Sequence, residues 1–263
     1  MSRIALALLL ALAAVPARAE FDADIVRVEV LPGWRAAEGR HMAALRLTLA
    51  PGWKTYWRAP GEGGLPPLMD FGASEGIAEV EARWPVPEVF RLGGLRSIGY
   101  GEAVTIPLDL ALDGPGPARI EGAIDIGVCL DVCVPVRLDF AADLPEAGDR
   151  DPLIAAALVD RPMTAEEAQA RATCAVTPAE EGLALAVRVA MPPLGEAEEV
   201  VIESADPSLW LSEPVARREG EVLVARAEAL AREGGPATLD RSDLRITVLA
   251  EGRAVDIRGC AAG

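Results

Sequence analysis

The segment Ile124–Phe140 has the sequence IDIGVCLDVCVPVRLDF, in which Cys129 and Cys133 enclose three residues. Apolar side chains alternate with other residues on both sides of the cysteines, which predicts a β-strand on each side. In one continuous strand, residues four apart lie about 13 Å from each other, whereas a disulfide needs Cα atoms about 4.4–6.8 Å apart. Paired cysteines therefore require a turn, and the pattern predicts a β-hairpin with residues 130–132 as its loop.

The spacing of the four cysteines separates them into two pairs of different character. Under the chain-entropy model, a disulfide that closes a loop of about five residues contributes roughly 2 kcal/mol, whereas one that closes about 87 residues, from Cys174 to Cys260, contributes roughly 4.6 kcal/mol. The near pair, Cys129 and Cys133, thus favours a chemical role and the far pair a structural one. Four cysteines allow three pairings, so the sequence alone leaves the connectivity open.

Alternating apolar residues recur along the rest of the chain and predict further strands at 24–30, 43–49 and 104–112. Clusters of turn-forming Pro and Gly separate them, for example at 59–64 and 114–117. Beyond residue 173 the alternation resumes, at 183–189, 200–202, 222–224, 244–249 and 255–257. Many short strands with turns between them predict an all-β protein built from β-sandwiches.

A change of pattern after Phe140 indicates a connector between two domains. Residues 152–159 (PLIAAALV) predict a short helix, and Thr164 with Glu167 forms a capping-box pattern for a second helix that runs towards Arg171. We therefore expect a first β-sandwich over residues 20–145, a helical connector over 146–172 and a second β-sandwich over 173–263.

The first nineteen residues have the pattern of a cleavable secretory signal peptide. Arg3 precedes an apolar run from Ile4 to Val15, and Ala17-Arg18-Ala19 is a small-residue cleavage site. We expect export to a periplasm, where disulfides persist, and no membrane insertion of the mature chain. A net charge of −16 argues against nucleic acid as a partner, because an acidic surface repels phosphate.

Five motifs in order give the first domain a family resemblance. They are GWKTYWRAPG at 52–61, GLP at 64–66, WPVP at 84–87, GYG at 99–101 and CLDVCVP at 129–135. Together they resemble the amino-terminal periplasmic module of the transmembrane thiol:disulfide interchange proteins, the DsbD family, and most closely its ScsB branch, which is associated with suppression of copper sensitivity. This resemblance implies two tandem immunoglobulin-like β-sandwiches.

The resemblance also implies an electron relay that needs no cofactor. Cys129 and Cys133 would form the redox pair of a protein-disulfide reductase-like protein, which takes electrons from a membrane thiol donor and reduces periplasmic thioredoxin-like clients. The family's membrane domain and carboxy-terminal thioredoxin-like domain have no counterpart in this sequence, so we expect separate proteins to supply them. Family members shield the cysteines with an aromatic-bearing loop, for which Tyr56, Phe90 and Tyr100 are candidates.

Several alternatives remain open at the level of sequence. The chain is also compatible with a copper-binding protein, because thiolates and thioethers suit Cu(I), or with a partner-binding module whose Cys129–Cys133 and Cys174–Cys260 disulfides are both inert. His41 has no partner histidine, which favours a surface or strand-edge position over a metal site. Lys54 and Arg58 lie between aromatic residues, where they either bind a carboxylate or occupy a solvated strand face.

Overall fold

The computed structural model describes residues 25–92 and 94–263, so the predicted signal peptide at 1–19 lies outside the described residues. Within them the chain forms two β-sandwich domains, as the alternation predicted. None of the helices in these two ranges has the length and apolarity needed to cross a membrane.

The first domain contains ten strands in two antiparallel sheets. One sheet has the order β1-β2-β8-β5, and the other has the order β10-β9-β3-β7-β6, with β4 also paired to β9. The strands are β1 (Val26–Ala37), β2 (Arg40–Leu49), β3 (Lys54–Tyr56), β4 (Leu68–Asp70), β5 (Ile77–Ala82), β6 (Glu88–Leu92), β7 (Leu95–Gly101), β8 (Ala103–Leu112), β9 (Ala118–Cys129) and β10 (Cys133–Leu144).

The core of the first domain lies between these two sheets. Alternate residues of the long strands point inward and are almost fully buried, among them Leu45, Ile106, Leu108 and Ile124. Trp57, directly after β3, is completely buried, while Trp53 and Trp84 are partly buried against the same core. Strand alternation thus fixes which face of the β9–β10 hairpin packs inward and which remains outside.

The connector contains one of the two predicted helices. Helix α1 (Pro152–Val159) begins after Asp151, whose Oδ1 accepts hydrogen bonds from the backbone N–H groups of the first turn. The prediction of a second helix that begins at Thr164 is wrong. The capping-box hydrogen bonds between Thr164 and Glu167 do form, at 2.7 and 3.2 Å, but Gln169 adopts a φ of +52° and ends a single turn just before the next strand.

The second domain repeats the sandwich architecture with sheets ordered β11-β19-β18-β14 and β15-β17-β13-β12-β20, with β16 also paired to β17. Its strands are β11 (Met163–Thr164), β12 (Arg171–Pro178), β13 (Leu183–Ala190), β14 (Glu199–Ser204), β15 (Leu209–Leu211), β16 (Val215–Glu219), β17 (Val222–Ala231), β18 (Leu244–Ala250), β19 (Arg253–Arg258) and β20 (Ala261–Ala262). A 3-10 helix at Arg241–Asp243 precedes β18.

A disulfide joins Cys174 and Cys260, with Cα atoms 5.7 Å apart. Cys174 is completely buried on β12, and Cys260 directly precedes β20, which pairs with β12 in parallel. The bond therefore connects the beginning of the second domain to its end.

His41 differs from its predicted surface or edge position. It is completely buried on β2, where its Nε2 lies 2.6 Å from the carbonyl oxygen of Pro32. Burial lowers the pKa of the His41 imidazole. The prediction failed because β2 is an inner strand, with β1 on one side and β8 on the other.

Arginines of the first domain pair with carboxylates of the second across the domain boundary. Arg58 makes a bidentate contact with Glu203, at 2.9 and 3.1 Å. Arg96, whose side chain is 4% exposed, donates to Glu199 at 2.7 Å, and its Nε lies 2.7 Å from Glu213 without hydrogen-bond geometry. These nearly buried pairs tie β7 and the segment after β3 to the second domain.

Candidate functional site

The two near cysteines form a disulfide at the loop end of the β9–β10 hairpin. Cys129 is the last residue of β9 and Cys133 the first of β10, and the two are direct register partners with Cα atoms 4.1 Å apart. Residues 130–132 form the loop, as the alternation predicted. Directly opposed strand positions bring side chains close enough for a disulfide, so the hairpin register itself creates the pair.

The two cysteines differ in their exposure to solvent. Cys129 is 8% exposed, whereas Cys133 is an exposed residue. The loop beside them is also open, since Leu130 is 40% exposed and Val132 is 72% exposed. A partner can therefore approach Cys133, while Cys129 is held against the protein.

The Tyr56 hydroxyl contacts both sulfur atoms. It lies 2.9 Å from Sγ of Cys129 and 3.1 Å from Sγ of Cys133, and it donates a hydrogen bond to the carbonyl oxygen of Gly63 at 3.0 Å. Tyrosine is protonated at neutral pH, and burial raises the pKa of the Tyr56 hydroxyl further. Tyr56 is thus a hydrogen-bond donor beside both sulfurs.

Gly64 and Gly127 leave room for the Tyr56 ring. A Cβ atom at Gly127 would lie 2.9 Å from the ring, and one at Gly64 would lie 2.8 Å from it. Gly127 precedes Cys129 by two residues, so the two positions share one face of β9. The absence of a side chain at Gly127 therefore lets the ring pack against β9, where its hydroxyl reaches the disulfide.

A small cavity of about 140 Å³ adjoins the disulfide. Besides the two cysteines and Tyr56, the residues that line it are Lys54, Thr55, Gly63, Phe90, Leu95, Ser97, Leu130 and Asp131. The Lys54 ammonium group lies 4.7 Å from the centre of the Phe90 ring, a cation–π distance. Lys54 is the register partner of Cys129 across β3 and β9, so the only lysine of the sequence stands beside the disulfide.

The three aromatic residues predicted as shields occupy different places. Tyr56 and Phe90 line the cavity beside the disulfide, whereas Tyr100 does not. Tyr100 lies in the core of the first domain, where its hydroxyl donates to the carbonyl oxygen of Pro85 at 2.9 Å. Burial raises the pKa of this hydroxyl well above its usual value.

Lys54 and Arg58, the two basic residues between aromatic ones, lie in different places. Lys54 borders the disulfide cavity, while Arg58 binds the carboxylate of Glu203 and stacks on the Trp57 ring at 3.8 Å.

Sequence reasoning missed Gly63 and Gly127, because a glycine that accepts a hydrogen bond or makes room for a ring carries no local signal. The carboxylate partner of Arg58 lies 145 residues away.

Across residues 25–92 and 94–263, no group of three or more His, Cys, Asp or Glu side chains is arranged to hold a metal ion. The described methionines likewise form no cluster with the cysteine pair, since the cavity beside the disulfide contains none of them. The reactive and titratable groups that border this cavity are the two sulfurs, the Tyr56 phenol, the Lys54 ammonium group and the Asp131 carboxylate.

Comparisons with known proteins agree with this geometry. Residues 27–145 match the N-terminal domain of the thiol:disulfide interchange protein DsbD. The whole fold is similar to the crystal structure of the N-terminal periplasmic domain of ScsB from Proteus mirabilis, with a TM-score of 0.64 and 20% sequence identity over 91% of this chain and 95% of that one. No curated protein is significantly similar in sequence. The first domain of this chain is therefore similar to the N-terminal domain of the DsbD family.

Proposed function

We propose that this protein carries out thiol-disulfide exchange in the periplasm, and that it relays reducing equivalents from a membrane thiol donor to thioredoxin-like client proteins. The observation that carries the proposal is the asymmetry of the near pair, with Cys133 exposed and Cys129 buried at adjacent strand ends. Exchange through a mixed disulfide requires one reachable cysteine and one that resolves the intermediate.

Reduction of a client then proceeds in two balanced steps. In the first, the Cys133 thiolate attacks one sulfur of the client disulfide; the client S–S bond breaks and its second sulfur leaves as a thiolate. In the second, the Cys129 thiolate attacks Sγ of Cys133, forms the Cys129–Cys133 disulfide and releases the remaining client sulfur. Two electrons have passed to the client, and solvent supplies the protons that its two thiolates take up.

The return half of the cycle uses the same two sulfurs in reverse. A thiolate of the membrane donor attacks the exposed Cys133, and Cys129 leaves as a thiolate. The donor's second thiolate then attacks the donor sulfur of this mixed disulfide, which forms the donor disulfide and releases Cys133 as a thiolate. The Tyr56 hydroxyl lies 2.9 Å from the Cys129 sulfur and is able to donate a hydrogen bond to that thiolate. Hydrogen bonds to charged groups are stronger than neutral ones, so Tyr56 supports Cys129 as the leaving group.

Single-cysteine variants test this assignment of roles. The probe is a thioredoxin that keeps only its reactive cysteine, which carries a 2-thiopyridyl group. We expect Cys129→Ser to release thiopyridine rapidly and to form a stable mixed disulfide through Cys133. Cys133→Ser should react at least tenfold more slowly, because the remaining Cys129 is buried. Faster reaction of the Cys133→Ser variant would reverse the assignment, and no reaction in either variant would contradict the proposed function.

A further inference from the structure

An apolar groove lies on the outer face of the β9–β10 hairpin, next to the disulfide. Register pairing places three rows of residues on this face, each two positions further from the loop: Cys129 with Cys133, Gly127 with Pro135, and Asp125 with Arg137. On the other side of β9, Leu68 of β4 stands opposite Asp125. The groove therefore begins one row away from the reactive sulfurs.

The groove has a volume of about 370 Å³ and apolar walls. Leu65, Pro66 and Leu68 line one side and Pro135 the other, while the ion pair between Asp125 and Arg137, at 2.6 Å, closes the far end. Leu65 is 49% exposed and Leu68 is 65% exposed. Large apolar side chains grouped beside a cleft indicate a surface that a partner covers.

The exposed apolar residues continue around the disulfide on its other side. Leu130 and Val132 of the loop are 40% and 72% exposed, and Leu95 at the cavity beside the disulfide is 61% exposed. Two neighbouring cavities at this hairpin thus carry exposed apolar residues, Leu65 and Leu68 at the groove and Leu95 and Leu130 beside the disulfide, with Val132 in the loop. This apolar surface contrasts with the rest of a chain whose net charge is −16, and it favours a partner with an apolar contact surface.

The geometry of a mixed disulfide limits how far the partner's chain lies from the groove. A disulfide brings the partner's Cα atom within about 4.4–6.8 Å of the Cα atom of Cys133. Pro135 is two residues further along the strand, about 7 Å away. The partner's chain next to its reactive cysteine therefore lies within reach of Pro135, the exposed residue of the second row, while the mixed disulfide exists.

We propose that this groove is the docking site for the apolar surface beside the reactive cysteine of a thioredoxin-like partner. The inference rests on the proposed exchange function and adds the surface that recognises the client. Because the groove walls are apolar and its one ion pair is already satisfied, recognition depends on buried apolar area and is weakly sensitive to salt.

The test compares a protein probe and a small probe that share one leaving group. The protein probe is the thiopyridyl-activated thioredoxin, and the small probe is 2,2′-dithiodipyridine; both react with the reduced protein and release thiopyridine. We expect Leu68→Glu to slow the reaction with the thioredoxin probe at least tenfold and to leave the reaction with the small probe unchanged. The matched control is Val215→Glu on β16, a residue 77% exposed in the second domain, which should change neither rate.

The possible outcomes separate this inference from the function on which it rests. Equal rates for Leu68→Glu and the unaltered protein with thioredoxin overturn the docking site, and so does an equal loss with both probes. A change from dimer to monomer in Leu68→Glu, measured by sedimentation equilibrium, would assign the groove to a second copy and also overturn it. Failure of the unaltered protein to react with either probe contradicts the exchange function itself.

Discussion

At the residue scale, the surroundings of the disulfide differ on its two sides. Cys133 faces solvent, while Cys129 lies beside the Tyr56 hydroxyl, which also donates to the carbonyl oxygen of Gly63. The phenol carries one proton, so it bonds either the carbonyl or a sulfur. A thiolate is a stronger acceptor than a carbonyl, and release of Cys129 as a thiolate therefore draws this proton towards sulfur.

The first prediction concerns this hydroxyl. Tyr56→Phe should slow attack of a small thiol on the Cys129–Cys133 disulfide by about three- to tenfold, because the rate of exchange falls as the pKa of the leaving thiol rises. Stopped-flow measurement of reduction by dithiothreitol gives the rate. Tyr100→Phe is the matched control, since it removes the other tyrosine hydroxyl of the chain from a buried bond to Pro85. Equal rates in Tyr56→Phe and the control would contradict the role of Tyr56.

At the element scale, the two disulfides connect different kinds of structure. The Cys129–Cys133 bond joins strands that already pair along their full length, with twelve register partners from Cys133 to Leu144. The Cys174–Cys260 bond spans 86 residues and fixes the short parallel strand β20 against β12. Since the longer loop restricts the unfolded chain more, the second bond is expected to stabilise the fold more than the first.

The second prediction compares the two bonds through paired alanine variants. Cys174→Ala with Cys260→Ala should lower the free energy of unfolding by about 4 kcal/mol, and Cys129→Ala with Cys133→Ala by about 2 kcal/mol or less, following the loop-entropy model. Urea denaturation followed by circular dichroism measures both. The far-pair variant should retain exchange with dithiothreitol. A larger loss of stability in the near-pair variant would contradict the division of roles.

The sequence predicted what depends on neighbouring residues and missed what depends on distant ones. Alternation from Ile124 to Phe140 was sufficient to predict the hairpin and its loop, because register follows from the buried face and the turn, whereas the pairing of the four cysteines stayed open at the level of sequence. Gly63 and Tyr56 meet only because the segment after β3 packs back on β7, where the carbonyl oxygen of Arg96 lies against it. His41 is buried by the two strands beside it, which its own neighbours in sequence do not reveal.

At the scale of the whole molecule, residues of the second domain contact the part of the first domain that borders the disulfide. Glu199 and Glu213 pair with Arg96, and Gly61 and Gly63 pack against the backbone of Arg96. Gly63 in turn accepts the Tyr56 hydrogen bond. Apolar residues of the second domain, including Val201 and Leu249, belong to the core cluster of the first.

The third prediction tests this connection between the domains. Glu199→Gln with Glu213→Gln removes the two carboxylates that pair with Arg96, and a nearly buried guanidinium that loses its paired charges destabilises the contact between the domains. We expect one calorimetric unfolding transition in the unaltered protein and two in this variant. Glu198→Gln is the control, because Glu198 pairs with Arg218 within the second domain; it should lower the melting temperature and keep one transition. Two transitions in the unaltered protein would contradict the coupling.

The reduction potential of the Cys129–Cys133 disulfide tests the central claim most directly. Equilibration of the Cys174→Ala, Cys260→Ala variant with dithiothreitol buffers, followed by alkylation and mass spectrometry, isolates this one bond. A relay disulfide must accept electrons from one thiol pair and give them to another, so we predict a potential above about −300 mV. A potential below about −300 mV, the range of structural disulfides, would mean that the bond is inert and that the protein is not an electron relay.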